Sequence, residues 1–85
     1  MMGELAGLIN IGKVVEGQLN EVGIYTFEEL KAAGSKQAWL KIRGIDSSAC
    51  INRLCALEGA IQGIRWHDLD VEKKSELKEF YNTFK

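Results

Sequence analysis

Eighty-five residues make one domain, spanning 1–85, with room for a single small core; a chain of this length buries only about 60–65% of its unfolded surface. An apolar share of 46% beside 27% charged residues excludes a disordered chain, and a net charge of −1 excludes a global pull toward nucleic acid or acidic membrane. The longest apolar runs are a few residues, too short to cross a membrane, and the start MMGELAGLINIG lacks the cationic segment of a secretory signal, so the chain reads as cytoplasmic.

Nine glycines and no proline suggest that glycine does the stopping and turning. Glu4 to Ile9 predicts a short leading helix with Leu5, Leu8 and Ile9 on one side. Asn10-Ile11-Gly12 then turns sharply, because Asn and Gly both tolerate positive φ. A helix from about Lys13 to Val22 follows, with Val15, Leu19 and Val22 on its apolar face. Gly23 stands where a helix stop belongs, and Ile24 can fold back over the last turn as a Schellman ending requires. Thr26 and Glu29 form a capping box for the next helix, with Tyr25 and Leu30 at the positions of a hydrophobic staple. Gly34 stops that helix. Ser35 can cap a third, Lys36 to Arg43, which Gly44 ends.

Asp46 or Ser47 is the expected N-cap of the fourth helix, about Ser48 to Gly63. Its stripe of Cys50, Leu54, Leu57, Ile61 and Ile64, widened by Ile51 and Cys55, predicts the central core helix. Ala56, Gly59, Ala60 and Gly63 form a row of small residues that would let another helix approach closely. Arg65 to Leu69 is a linker carrying Trp66, His67 and Asp68. Asp70 caps a last helix, Val71 to about Thr83, with Leu77, Phe80, Tyr81 and Phe84 as its apolar face. No segment alternates long enough for a strand. The fold class is all-α: a compact bundle of about five short helices after the leading one, with helix-hairpin-helix-like units and loops of two to six residues.

Charge is unevenly spread. Residues 1–34 carry five acids against two lysines, whereas 35–67 carry Lys36, Lys41, Arg43, Arg53 and Arg65 against Asp46 and Glu58. If that middle segment is basic on one face, the face is a candidate phosphate contact; the alternative is a solvated surface of mixed charge. The hairpin at Asn10–Lys13 is the second candidate. A tight turn opening a helix points backbone N–H groups outward at the positive end of the helix dipole, which suits one phosphate oxygen and reads no base. The same turn can also serve only to join two packed helices. Cys50 and Cys55 lie five apart, where one helix sets them about 140° from each other, so they read as small apolar residues of a reducing compartment rather than a disulfide or zinc pair. His67 is the only histidine, and no nucleophile or oxyanion donor can be placed beside it; it reads as a linker residue packed over Trp66 or capping a carbonyl. Trp39 and Trp66 read as core rather than base-stacking platforms. No enzyme, metal or cofactor is predicted.

The segments NIGK, LNEVGIYTFEELKAAG, AWLKIRG and LCALEGAIQGIRWHDL, in that order, resemble the C-terminal domain of the TfoX (Sxy) family of bacterial competence regulators. The resemblance runs from about Leu5 to Leu77. It implies a domain similar to helix-hairpin-helix modules, which in many proteins bind DNA backbone without sequence preference. It also implies that full-length members add an N-terminal α/β domain and act in transcriptional activation of DNA-uptake genes; here only the C-terminal domain is expected. The family's hairpin often runs Ile-Gly-Pro-Lys, and this one runs Ile11-Gly12-Lys13-Val14.

Two functions are therefore expected. One is a regulatory module touching DNA phosphates through Gly12, Lys13, Lys36, Lys41, Arg43, Arg53 and Arg65. The other is a protein-interaction or adaptor domain, possible as a homodimer, motivated by the near-neutral charge and the small-residue row.

Overall fold

A computed structural model describes residues 5–84. Its helices begin and end where local chemistry is strongest. The Thr26 hydroxyl accepts from the Glu29 N–H at 3.1 Å, and the Glu29 carboxylate accepts from the N–H groups of Thr26 and Tyr25 at 3.2 and 2.7 Å. The expected capping box is thus formed, although Tyr25 is 58% exposed and does not act as a buried staple. At the end of the preceding helix, Ile24 N–H reaches the Leu19 carbonyl at 2.8 Å and Gly23 N–H the Asn20 carbonyl at 3.1 Å, with Gly23 at φ 90°. That is the Schellman pattern, and glycine takes the left-handed backbone without a Cβ penalty. Asp70 caps the last helix through the Lys73 N–H at 2.7 Å.

Four α-helices result among the described residues: α1 Lys13–Glu21, α2 Phe27–Ile45, α3 Ile51–Gln62 and α4 Val71–Thr83. Single 3-10 turns stand at Leu5–Gly7 and Trp66–Asp68. The five main helices expected from the sequence become four spans because Phe27–Ile45 joins two helical segments across a kink at Gly34, where the stop was expected. Gly34 takes one non-helical conformation, φ 84° and ψ 158°, and the helix resumes at once. Ser35 therefore caps nothing; it is buried and its hydroxyl donates to Glu58 on α3 at 2.6 Å. Gly44 stays helical, and α2 runs on to Ile45. α3 starts at Ile51 with Cys50 as N-cap, not at Ser48, since Asp46 turns its carboxylate back on the Ser48 N–H and hydroxyl instead. The expected leading helix is reduced to the turn at Leu5–Gly7; Glu4 lies outside the described residues.

The predicted central helix is central. Leu54, Cys55, Ala56, Leu57, Gly59 and Ala60 of α3 are buried, and α2 and α4 both pack on it. The largest fully buried side chains are Trp39, Leu5, Leu19, Leu30, Ile42, Leu54, Leu57 and Leu77, drawn from every α-helix and from the N-terminal turn. A fully buried leucine contributes about 1.5–3 kcal/mol, so most of the stability resides in this shared cluster. Trp39 is enclosed by the edges of Phe80, Tyr81 and Phe84, with ring centroids 6.0, 5.6 and 6.3 Å away, which fastens α4 to α2. The radius of gyration, 11.7 Å, is that of a compact chain.

Gly59, in the small-residue row on α3, receives a side chain. Asn10, at φ 72°, donates its amide to the carbonyls of Ala56 and Ile64 at 3.4 and 3.0 Å and accepts from the Trp66 N–H at 3.3 Å. A Cβ on Gly59 would stand 2.5 Å from the Asn10 amide nitrogen, 2.7 Å from the Ile64 carbonyl oxygen and 3.1 Å from the Trp66 nitrogen. Two of those atoms are backbone and cannot swing aside. Gly59→Ala is expected to lower the unfolding free energy by about 2 kcal/mol or more. Gly44→Ala, whose Cβ would meet nothing within 4 Å, is expected to raise it by about 0.5–1 kcal/mol. Urea denaturation of the two variants checks both; a loss at position 44 would show that α2 needs a glycine there.

Candidate nucleic-acid interface

The hairpin is built from the clasp outward. Asn10 is fixed by its three hydrogen bonds, and Ile11 is buried beneath it. Gly12 is thereby placed as the N-cap of α1, with extended backbone at φ −104° and ψ −173° and no side-chain cap. Its carbonyl accepts the Glu16 N–H at 2.9 Å. Gly12 and Lys13 are exposed. An uncapped, exposed helix start leaves its first N–H groups to solvent or to an incoming acceptor.

The seven candidate residues fall into three groups. Arg65 joins Gly12 and Lys13. It is exposed, lies between Ile64 and Trp66, and both of those backbone positions are bound by Asn10. The clasp therefore sets Arg65 beside the hairpin, a juxtaposition across more than fifty residues of chain that no local pattern announces. Three others are committed inside the fold. Lys36 pairs with Glu76 of α4 and lies 5.4 Å from the centroid of Phe80. Arg43 covers the Trp39 ring at 5.6 Å. Arg53 donates to Asp46 at 2.9 Å and to Gln18 at 3.2 Å. Lys41 is exposed and makes no ion pair among the described residues, but on α2 it points about 140° away from Lys36. The middle segment is net basic in sequence without presenting its cations as one face.

Two polar junctions set the local electrostatics. The Ser48 hydroxyl and N–H, the Gln18 amide and the Arg53 guanidinium, in that order of effect, hold the Asp46 carboxyl well below the usual carboxylate range. Gln18 comes from α1, Asp46 follows α2 and Arg53 lies on α3, so one carboxylate joins three helices. Glu76 is likewise held low by Lys36 and then Lys73, and Lys73 is pushed up by Glu76. Burial pushes the Cys55 thiol up; Cys50 and Cys55 are both free. The His67 ring stacks on Trp66 at 3.9 Å and 28°, and its carbonyl accepts from the Lys74 ammonium at 2.9 Å. Among the described residues no group of three His, Cys, Asp or Glu side chains is placed to hold a metal, and no helix is long and apolar enough to cross a membrane.

A family model for the TfoX C-terminal domain matches residues 1–81. The chain belongs to the TfoX C-terminal domain family. Protein Sxy of Escherichia coli (strain K12) is 38% identical over 79 residues, an alignment covering 93% of this chain and 38% of Sxy. The TfoX C-terminal domain here thus spans under two fifths of the length of that curated relative. Two crystal structures from Listeria monocytogenes, a triclinic form of an uncharacterized protein and a tetragonal form of a protein of unknown function, share 56% identity with it. Each superposes with a TM-score of 0.93 over 95% of this chain, covering 92% and 99% of theirs.

Sequence reasoning named Asn10 only as a turn former and missed its side chain as the clasp. It also missed Gln18 and Asp46 as the groups that retain Arg53. The Asp46 junction yields a pH prediction. Folded-state values of Asp46 and Glu76 lie below the ordinary carboxylate value, so the stability they contribute is present above about pH 4 and is lost as pH falls toward their folded values. The urea midpoint is expected to drop below about pH 4, and Asp46→Asn to flatten part of that slope. Identical acid slopes in the wild type and the variant would show that the junction does not couple to folding.

Proposed function

We propose that this TfoX C-terminal domain is a non-enzymatic regulatory module that contacts nucleic-acid phosphates, without reading bases, through Gly12 and Lys13 at the start of α1 and Arg65 beside the Asn10 clasp. The observation that carries the reading is the uncapped start of α1, held by Asn10, with Lys13 and Arg65 both exposed. A phosphate oxygen there would accept from backbone N–H groups at the positive end of the helix dipole, and Lys13 and Arg65 would add charge. Family membership supports a competence-related regulatory role. The order of a 3-10 turn at Leu5–Gly7, the Asn10 hairpin and α1 supports a comparison with the backbone-binding turn of helix-hairpin-helix modules. Phosphate contacts position a protein on a duplex but carry no sequence information, so promoter choice would belong to another partner or another part of a longer protein. Such a module works in the cytoplasm, where free Cys50 and Cys55 remain reduced.

The second reading, a protein-interaction domain, is favoured by one observation. Sxy carries this domain in 38% of its length, so in that relative the fold has a further segment to meet. Fluorescence anisotropy with labelled duplex and single-stranded DNA at low and moderate salt separates the two. Binding is expected at low salt and should weaken as salt rises. Lys13→Ala and Arg65→Ala should each weaken it and reduce the salt slope by about one contact. Lys41→Ala should have a smaller effect. Absence of binding at low salt removes the first reading.

A further inference from the structure

Gly17 occupies the middle of α1, yet a Cβ there would meet nothing within 4 Å and its backbone is not left-handed. Alanine would favour the helix by about 1 kcal/mol, so packing inside the domain does not account for the glycine. Lys13, Gly17 and Glu21 follow one another at four-residue spacing and form a single exposed ridge, away from the buried Leu19. Val14, beside the ridge, is 72% exposed. Neither Lys13 nor Glu21 makes an ion pair among the described residues.

We propose that this ridge is a homodimer face, with two copies of α1 crossing antiparallel at Gly17. Lys13 and Glu21 lie four residues to either side of Gly17. A twofold axis through Gly17 therefore sets Lys13 of each copy against Glu21 of the other, while the missing side chains at the crossing let the backbones approach. Symmetry makes the surface self-complementary: every contact occurs twice, and no like charges meet. Val14 of each copy is covered at the margin. Two helices of nine residues, each about 13.5 Å long, cover less than the roughly 1,000 Å² of a stable interface. The association is therefore weak and depends on concentration. Lys13 belongs to this face and to the phosphate-binding end, so self-association and anion contact compete for it.

Sedimentation equilibrium of the full chain from micromolar to millimolar concentration tests the proposal. Wild-type protein should shift from monomer to dimer across that range. Lys13→Glu and Glu21→Lys should each weaken association roughly three- to tenfold, because two pairs per dimer are lost and like charges replace them. The double variant should restore it. Gly17→Arg should abolish it with circular dichroism unchanged, since the position is open. The double variant leaves position 13 acidic, so it should dimerise while remaining deficient in DNA binding, which separates failure of this proposal from failure of the phosphate-contact reading. A wild type that stays monomeric at millimolar concentration overturns the proposal, as does a double variant no better than the single ones.

Discussion

The amide of Asn10 is the contact on which the arrangement depends. The Ala56 carbonyl in the middle of α3 and the Ile64 carbonyl just beyond its end both accept from one side chain from the opposite end of the chain. The amide oxygen takes the Trp66 N–H in return. An isolated hydrogen bond contributes about 0.5–1.5 kcal/mol net, but losing one partner and leaving buried groups unpaired costs more. Apolar substitution at position 10 would strip several groups at once. The contact also explains two unusual backbone features together. Asn10 takes a positive φ, which Asn tolerates better than most residues, and Gly59 is a glycine because the incoming amide and the returning chain occupy the place of its Cβ.

A second constraint follows from how few cations a near-neutral domain has to spare. Arg53 fastens α3 to the loop after α2 and to α1, Lys36 fastens α2 to α4, and Arg43 lies over the buried Trp39. Arg53 with Asp46 is partly shielded and so better placed to hold the fold than the exposed Lys36–Glu76 pair, since an exposed pair is worth little in water. The residues left facing solvent are those that no helix junction requires. The apparent basic block in the middle of the sequence is thus largely structural in origin, and the phosphate-facing candidates are the residues beside the clasp.

Local signals were legible in the sequence, whereas contacts between distant segments were not. The Thr26–Glu29 box, the stop at Gly23, the cap at Asp70 and the central stripe of α3 each depend on neighbours within one or two turns, and the structure forms all of them. The helix count turns on glycine. Gly23 and Gly34 both take positive φ and both break the helix axis, but after Gly34 a second helical segment starts at once, with Ser35 held by Glu58 from α3. Composition cannot distinguish those outcomes, since the deciding partner is twenty-three residues away. The same holds for the site. Lys36 and Arg53 look like free surface charge until Glu76 and Asp46 are placed beside them, and Arg65 looks unrelated to the hairpin until Asn10 binds on both sides of it.

Glycine also carries the argument about function, through the contrast between Gly59 and Gly17. Both interrupt the interior of a helix at a cost of about 1 kcal/mol against alanine. At Gly59 the cost is offset within the domain by the clasp. At Gly17, as at Gly44, no atom of the domain approaches, so no contact within the domain offsets it. The hairpin and the outer ridge share α1, a helix of nine residues that buries Leu19 and Glu16 and leaves most of its circumference to solvent. A helix so short is marginal alone and is held by the Asn10 turn at its start, the Schellman ending at Gly23, and Gln18 on Asp46. Those anchors all lie at its ends or on its inner side. They fix α1 rigidly while keeping its outer surface and N-terminus open, which is the condition an encounter surface has to satisfy.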